Sequence, residues 1–255
     1  MKATTRGEPS LSLAPSGWRL FRQVFPDPSR EAAEKWIDEV ALRAEQDSGL
    51  EPEFEPLLLD GRLAARKLRR LFWNDEPFWT ELFQRCDLLE LGASFLAGAP
   101  ALIYHAAFLK TRMVGSKVAL HQDQALWNHD YPGAVSMWVA LTDCDEGNGC
   151  LELCPESHHR GLVPHQWDSM YAWHPCISPQ TNNIPVPQKV PMQAGDVLVW
   201  HRYMVHGSGR NCSSSDRKGM VLVFANAAEP NFTARDTYKV RPFSALRCGD
   251  PQRVK

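Results

Sequence analysis

The sequence predicts a mainly β protein of α+β type, in which two facing sheets close as a jelly roll and N-terminal helices buttress one side. Three observations carry this prediction. Helix-spaced apolar residues occupy the N-terminal third. After Pro100 the texture changes to short runs rich in Val, Leu and aromatic residues, and those runs are separated by Gly, Pro, Asn and Asp turns.

In chain order, residues 1–16, rich in Ser, Pro and Thr, read as a flexible tail, and 17–255 as a single domain. The segment SREAAEKWIDEVALRAEQ begins a helix for which Ser29 is the expected cap, with Glu31 and Glu34 in its opening turns and Ala33, Trp36, Ile37, Val40 and Leu42 at near-helical spacing. A second helical stretch is expected over about 75–95, ending near Gly98. The strand-like runs follow: ALIYHAAFL (101–109), KVALH (117–121), AVSMWVAL (134–141), CLEL (150–153), DVLVWH (196–201) and GMVLVFANA (219–227). The stretch from about 163 to 188 has prolines, Trp167 and Trp173 but no period, which suits a lid or binding loop better than a plain connector.

Composition narrows the function classes. With 255 residues, 44% of them hydrophobic, the chain can bury a full core, and its formal charge of -2 gives no electrostatic reason to expect nucleic acid or an anionic membrane. There is no run long and apolar enough to span a bilayer, and the start lacks the apolar core of a secretory signal. A cytoplasmic protein is expected, as a monomer or homodimer acting on a small-molecule substrate, with neither nucleic acid nor membrane as partner. Seven cysteines without a regular framework suit free thiols in a reducing compartment.

The chemistry is concentrated in His121-Gln122-Asp123, with His206 some eighty residues on and Arg217 beyond it. Side chains two apart on a strand share a face, so His121 and Asp123 can aim at one point while Gln122 turns away. Two imidazoles and one carboxylate form the facial set that holds a non-haem Fe(II) with positions open for reaction. His206 precedes Gly207-Ser208-Gly209, where the backbone is expected to approach the metal closely.

Other candidates are weaker. Cys150, Cys154, His158 and His159 resemble a zinc cluster, yet they fall on a strand and a proline turn rather than in paired knuckles. His201 suits packing or hydrogen bonding, and His129-Asp130 a solvated turn. Acidic Asp143 and Asp145 beside Cys144 would raise a thiol pKa and disfavour a nucleophilic thiolate. Neither a G-x-S-x-G elbow nor a phosphate-cradling G-x-x-x-x-G-K loop is present.

The blocks LHQD (120–123), NGCLELCPESHHRG (148–161), Gly195-Asp196 and HGSGRN (206–211), followed by Arg217, resemble the phytanoyl-CoA dioxygenase family of Fe(II)/2-oxoglutarate oxygenases, over about residues 17–227. The resemblance implies a double-stranded β-helix, a cupin-like jelly roll. It implies His121, Asp123 and His206 as iron ligands and Arg217 as the salt-bridge partner of the distal carboxylate of 2-oxoglutarate, a task that fits a planar guanidinium. Ser208 and Trp138 match positions lining the cosubstrate pocket, and Lys67 is the best match for a basic residue that contacts 2-oxoglutarate, with Arg70 the alternative. The chemistry implied is hydroxylation or a related oxidation with Fe(II), 2-oxoglutarate and O2, releasing succinate and CO2, with ascorbate in support. Halogen-transferring relatives lack the ligand carboxylate, whereas Asp123 is present here.

No motif selects the substrate. Gln124, Trp127 with Tyr131, and Trp167, Tyr171 and Trp173 are the candidate substrate contacts, and their aromatic character suits an apolar or cyclic molecule. Two other classes stay open: a metal- and 2-oxoglutarate-binding sensor without turnover, and a zinc hydrolase, in which Arg217 and Ser208 would have no task.

Overall fold

The computed structural model describes residues 11–127, 130–167 and 174–227, with the backbone of 241–242. Its element order is β1 (Trp18–Phe21), α1 (Asp27–Leu42), β2 (Glu53–Phe54), β3 (Ala65–Arg69), α2 (Leu71–Asn74), α3 (Glu76–Phe83), α4 (Leu88–Ser94), β4 (Pro100–Lys110), β5 (Val118–His121), β6 (Val135–Ala140), β7 (Leu151–Leu153), β8 (His165–Gln166), β9 (Cys176–Ile177), β10 (Gln188–Val190), β11 (Val197–His201), β12 (His206–Ser208), β13 (Arg217–Asn226) and β14 (Arg241–Pro242). The large sheet runs β1-β11-β6-β13-β4-β3-β2, with β14 also on β4, and the small one β10-β7-β12-β5; β8 and β9 form a separate pair.

The large sheet is apolar on both faces, which is why its strands read as continuous hydrophobic runs. On β6 and β13, Met137, Val139, Met220, Leu222 and Phe224 join Ala33, Trp36, Ile37 and Val40 of α1 in one core cluster. Trp138, Ala140, Val221 and Val223, one residue out of phase, join Leu151, Leu153 and Val190 of the small sheet in a second. The first cluster fastens the helices, and the second closes the two sheets on each other.

Several boundaries differ from the sequence reading. Helix α1 starts at Asp27 after Pro26, and Ser29 is a buried residue inside its first turn rather than its cap. Pro28 falls in the first turn, where proline is suited because its fixed φ is helical and its missing N–H is not needed. The helix expected over 75–95 is two helices, α3 and α4, parted at 84–87 and preceded by the short α2. The Asp75 carboxylate caps α3 by accepting from the Phe78 N–H.

Strands β1, β2, β3, β8, β9 and β10 lack a clear apolar run; in β3, ARKLR, cations interrupt the apolar residues, and Arg66, Lys67 and Arg69 line a cavity. The loop expected at 163–188 includes the β8–β9 hairpin, and residues 168–173, with Tyr171 and Trp173, lie outside the described residues. Of the tail, 1–10 also lie outside them, whereas Leu11 and Leu13 pack on the core and the Leu11 N–H donates to Ser94 O. Gly195-Asp196 serves the fold: the buried Asp196 carboxylate accepts from the Arg22 guanidinium and the Gln23 and Gln193 N–H groups, docking the end of β1. No described helix is long and apolar enough to cross a membrane.

Candidate metal centre and cosubstrate pocket

His121 closes β5, His206 opens β12, and the two are direct partners in the antiparallel register. Direct partners share a face, and the rings lie 4.3 Å apart. Asp123 follows at the start of a single helical turn, its Oδ1 3.9 Å from His121 Nε2 and 3.6 Å from His206 Nε2. One ligand atom from each of the three lies within 4.8 Å of the others, and this is the group among the described residues able to hold a metal ion. Gln122 turns away as expected, its amide donating to Gly161 O and Tyr203 O and its Oε1 accepting from the Val163 N–H.

Each ligand is oriented by a second partner. His121 Nδ1 lies 2.8 Å from Ala119 O and His206 Nδ1 3.0 Å from Met204 O. A carbonyl can only accept, so both Nδ1 atoms carry the proton and both Nε2 lone pairs face the centre. Asp123 Oδ2 accepts from Ser136 Oγ at 2.6 Å and Trp200 Nε1 at 2.9 Å, which leaves Oδ1 for the metal. Burial, followed by the neighbouring His206 and His174, holds the His121 pKa well below its ordinary value, so the ring is neutral and able to ligate.

The triad opens onto a cavity of about 480 Å³. Arg217, the first residue of β13, lines it and is only 2% exposed. Its Nη2 donates to Gly149 O at 2.9 Å, while Nε and Nη1 have no hydrogen-bond partner among the described residues. Its guanidinium lies 4.8 Å over the Trp138 ring. Gly219 makes room for that indole, since a Cβ there would lie 2.1 Å from Trp138. A buried cation with two unspent donors calls for an anionic ligand.

Lys67 and Ser208 also line the cavity, with the Lys67 ammonium 4.8 Å from the Phe108 ring centroid. Arg70 does not; it precedes α2 in a left-handed conformation and pairs with Glu51. Trp127 and Trp167 line the cavity, Trp127 edge-on to Tyr131 and Trp167 65% exposed at its rim. Gln124 is not a lining residue. Its Oε1 accepts from Arg202 Nη1 at 2.9 Å, which braces the turn after Asp123.

Two physical reasons also change. Gly207 is required by strand pairing, because a Cβ there would lie 2.7 Å from Val118 O on β5 rather than against a metal. The Cys144 thiol is pushed up to about 11 chiefly by burial, its acidic neighbours adding less. His201 Nδ1 accepts from the Tyr203 N–H, a local structural bond.

The sequence reading missed His174, Ser136, Trp200 and Lys110. The ring of His174 lies 4.3 Å from that of His121; its Nδ1 contacts Pro175 O, and burial lowers its pKa to about 4. Ser136 and Trp200 sit inside apolar runs, and their polarity on an inward-facing position was the available signal.

A double-stranded β-helix with a His-Asp-His set at the mouth of its small sheet defines the class of non-haem metal oxygenase folds. The family model of phytanoyl-CoA dioxygenase matches residues 20–219, and the chain belongs to that family. Among relatives, the peroxisomal phytanoyl-CoA dioxygenase of Bos taurus is 32% identical over 172 residues, covering 61% of this chain and 48% of the relative. The L-proline trans-4-hydroxylase of Streptomyces griseoviridis is 25% identical over 261 residues, covering 91% and 93%. The chain thus spans about half the length of the first relative and nearly all of the second. Among solved structures, AviO1 from Streptomyces viridochromogenes Tue57 superposes with a TM-score of 0.65 at 25% identity, covering 85% of this chain and 92% of that one. The carbocyclase SnoK from nogalamycin biosynthesis, at 0.66 and 18% identity with 89% and 92% covered, supports the fold.

Proposed function

We propose that the protein is an Fe(II)- and 2-oxoglutarate-dependent dioxygenase that hydroxylates a small-molecule metabolite and releases succinate and CO2. The observation that carries this reading is the pairing, in one cavity, of the His121-Asp123-His206 set with the buried, partly unpartnered Arg217. A zinc hydrolase would need the triad but would leave Arg217 without a task. His121, Asp123 and His206 hold the metal in fixed tautomer and rotamer. Arg217 anchors the distal carboxylate of the cosubstrate, with Ser208 and Trp138 shaping its slot and Lys67 adding positive charge on the β3 side. Bound iron, with 2-oxoglutarate and O2, supplies the oxidising power; the chain orients the partners and keeps water out.

Trp127 and Trp167 offer apolar surface to the substrate. The relatives' names point to different molecules, among them L-proline and methylphosphonate, so the family alone does not choose one. The test is a metabolite screen under O2, Fe(II), ascorbate and 2-oxoglutarate, scored by succinate above the substrate-free background. Turnover with zinc in place of iron and without 2-oxoglutarate would overturn the reading, as would binding of 2-oxoglutarate with no substrate-stimulated succinate across the screen.

A further inference from the structure

Lys110 ends β4 directly opposite Arg217 in the β4–β13 register, so both side chains leave the large sheet on the same face as neighbours. Lys110 is 4% exposed and lines the same cavity. Its Nζ donates to Ser116 O at 2.5 Å and to Gly209 O at 2.6 Å, which pins the ammonium between the approach to β5 and the loop after β12. An ammonium has three donors; two are taken by these carbonyls, and no described residue takes the third.

Among the described residues no carboxylate closes on this cation. Glu55 is buried beside it but spends Oε1 on the Ser116 N–H, and its Oε2 has no hydrogen-bond partner among the described residues. Burial, and after it the neighbouring Arg217, pull the Lys110 pKa well down, with Arg66 acting the same way and Glu55 and Glu152 opposing. Two buried cations side by side, with an unspent donor on one and two on the other, repel each other, and an anion accepting from both would relieve that repulsion beyond what Glu55 does.

We propose that Lys110 is a second cation of the cosubstrate pocket, donating its remaining ammonium proton to the distal carboxylate anchored by Arg217. The proposal rests on the 2-oxoglutarate reading above. The two carbonyl bonds fix the direction of the third N–H, so the ammonium is pre-oriented and little ordering is needed on binding.

The test titrates anaerobic Fe(II)-loaded protein with 2-oxoglutarate and, separately, with 2-oxopentanoate, which keeps the keto-acid end and lacks the distal carboxylate. Binding is followed by the visible charge-transfer absorption of the chelate. Lys110→Met is expected to weaken 2-oxoglutarate at least tenfold while leaving 2-oxopentanoate and Fe(II) affinities within about twofold, with partial recovery in Lys110→Arg. Should Lys110→Met fold poorly, Lys110→Gln keeps a donor for the carbonyls without the charge and is expected to show the same selective loss. Equal losses for both keto acids, or unchanged 2-oxoglutarate binding, would show that Lys110 only packs. If the parent protein itself binds both keto acids equally, the anchoring role of Arg217 falls first and this proposal with it.

Discussion

The two faces of the large sheet each bury imidazole, to opposite ends. On the helix side, His105 of β4 pairs with Leu222 and packs against Trp79 and Phe83, with ring centroids 4.4 and 5.5 Å away. Neither of its nitrogens has a hydrogen-bond partner among the described residues, and burial drives its pKa down to about 3. On the cavity side, His121 and His206 are buried as well, yet each has its Nδ1 on a backbone carbonyl and its Nε2 turned toward Asp123. Burial makes both His105 and His121 neutral. Only the second partner makes a ligand, because it fixes the tautomer and the rotation of the ring.

The largest expected effect comes from the cavity side. His121→Ala, Asp123→Ala and His206→Ala should each reduce Fe(II)-dependent succinate formation to background while the thermal midpoint stays close to the parent's. Near-parental turnover in two of them at saturating iron would break the contrast, since an open ring position would then need no fixed ligand. Next is Arg217→Ala. Losing a buried charge-assisted pair costs roughly 2–5 kcal/mol, so the concentration of 2-oxoglutarate needed for half-saturation should rise by tens- to thousands-fold while iron affinity stays put. An unchanged requirement would move the anchor to Lys67.

A smaller effect is expected where Asp123 is steered. Trp200→Phe and Ser136→Ala remove the two donors to Oδ2, and loss of such partners lowers metal affinity by about 10- to 100-fold. Iron titration of the two variants checks this, and parental affinity in both would mean that Asp123 is held by its backbone alone.

The smallest effect belongs to the helix side. The folded pKa of His105 lies below the unfolded value, so the unfolded chain binds the extra proton, and stability is full above about pH 6.5 and lost as pH falls toward 3. His105→Leu should remove this acid penalty, roughly 2 kcal/mol by pH 5 at about 1.36 kcal/mol per unit, with succinate formation at neutral pH unaltered. Denaturation midpoints of parent and variant across that range measure it. An identical acid dependence would show that His105 is not the group that titrates.

How much of the site was legible depends on how locally each part is encoded. His121 and Asp123 could be read from two-residue spacing, and Arg217 from its order behind His206. Lys67 and Arg70 could not be separated by sequence, because both are cations near the end of β3; the fold puts Lys67 opposite Phe108 in the cavity lining and Arg70 past the strand, paired with Glu51. Gln124 looked equally available beside the H-x-D but is spent on Arg202, a partner 78 residues away.

The sequence by itself determined the jelly roll and its apolar strands, through runs that alternate turn and core, and it determined the types and order of the residues that could hold a metal. The tertiary structure decided the rest: which nitrogen of each histidine is free, that Asp123 is tethered to the large sheet by Ser136 and Trp200, and that Arg217 and Lys110 stand side by side with donors unspent. The physical reason is register. A chain can encode the face of a residue within one strand, but which side chains meet across β4 and β13, or across β5 and β12, is set by the pairing of segments about a hundred residues apart in some cases, and a slip of one residue would turn every one of them to the other face.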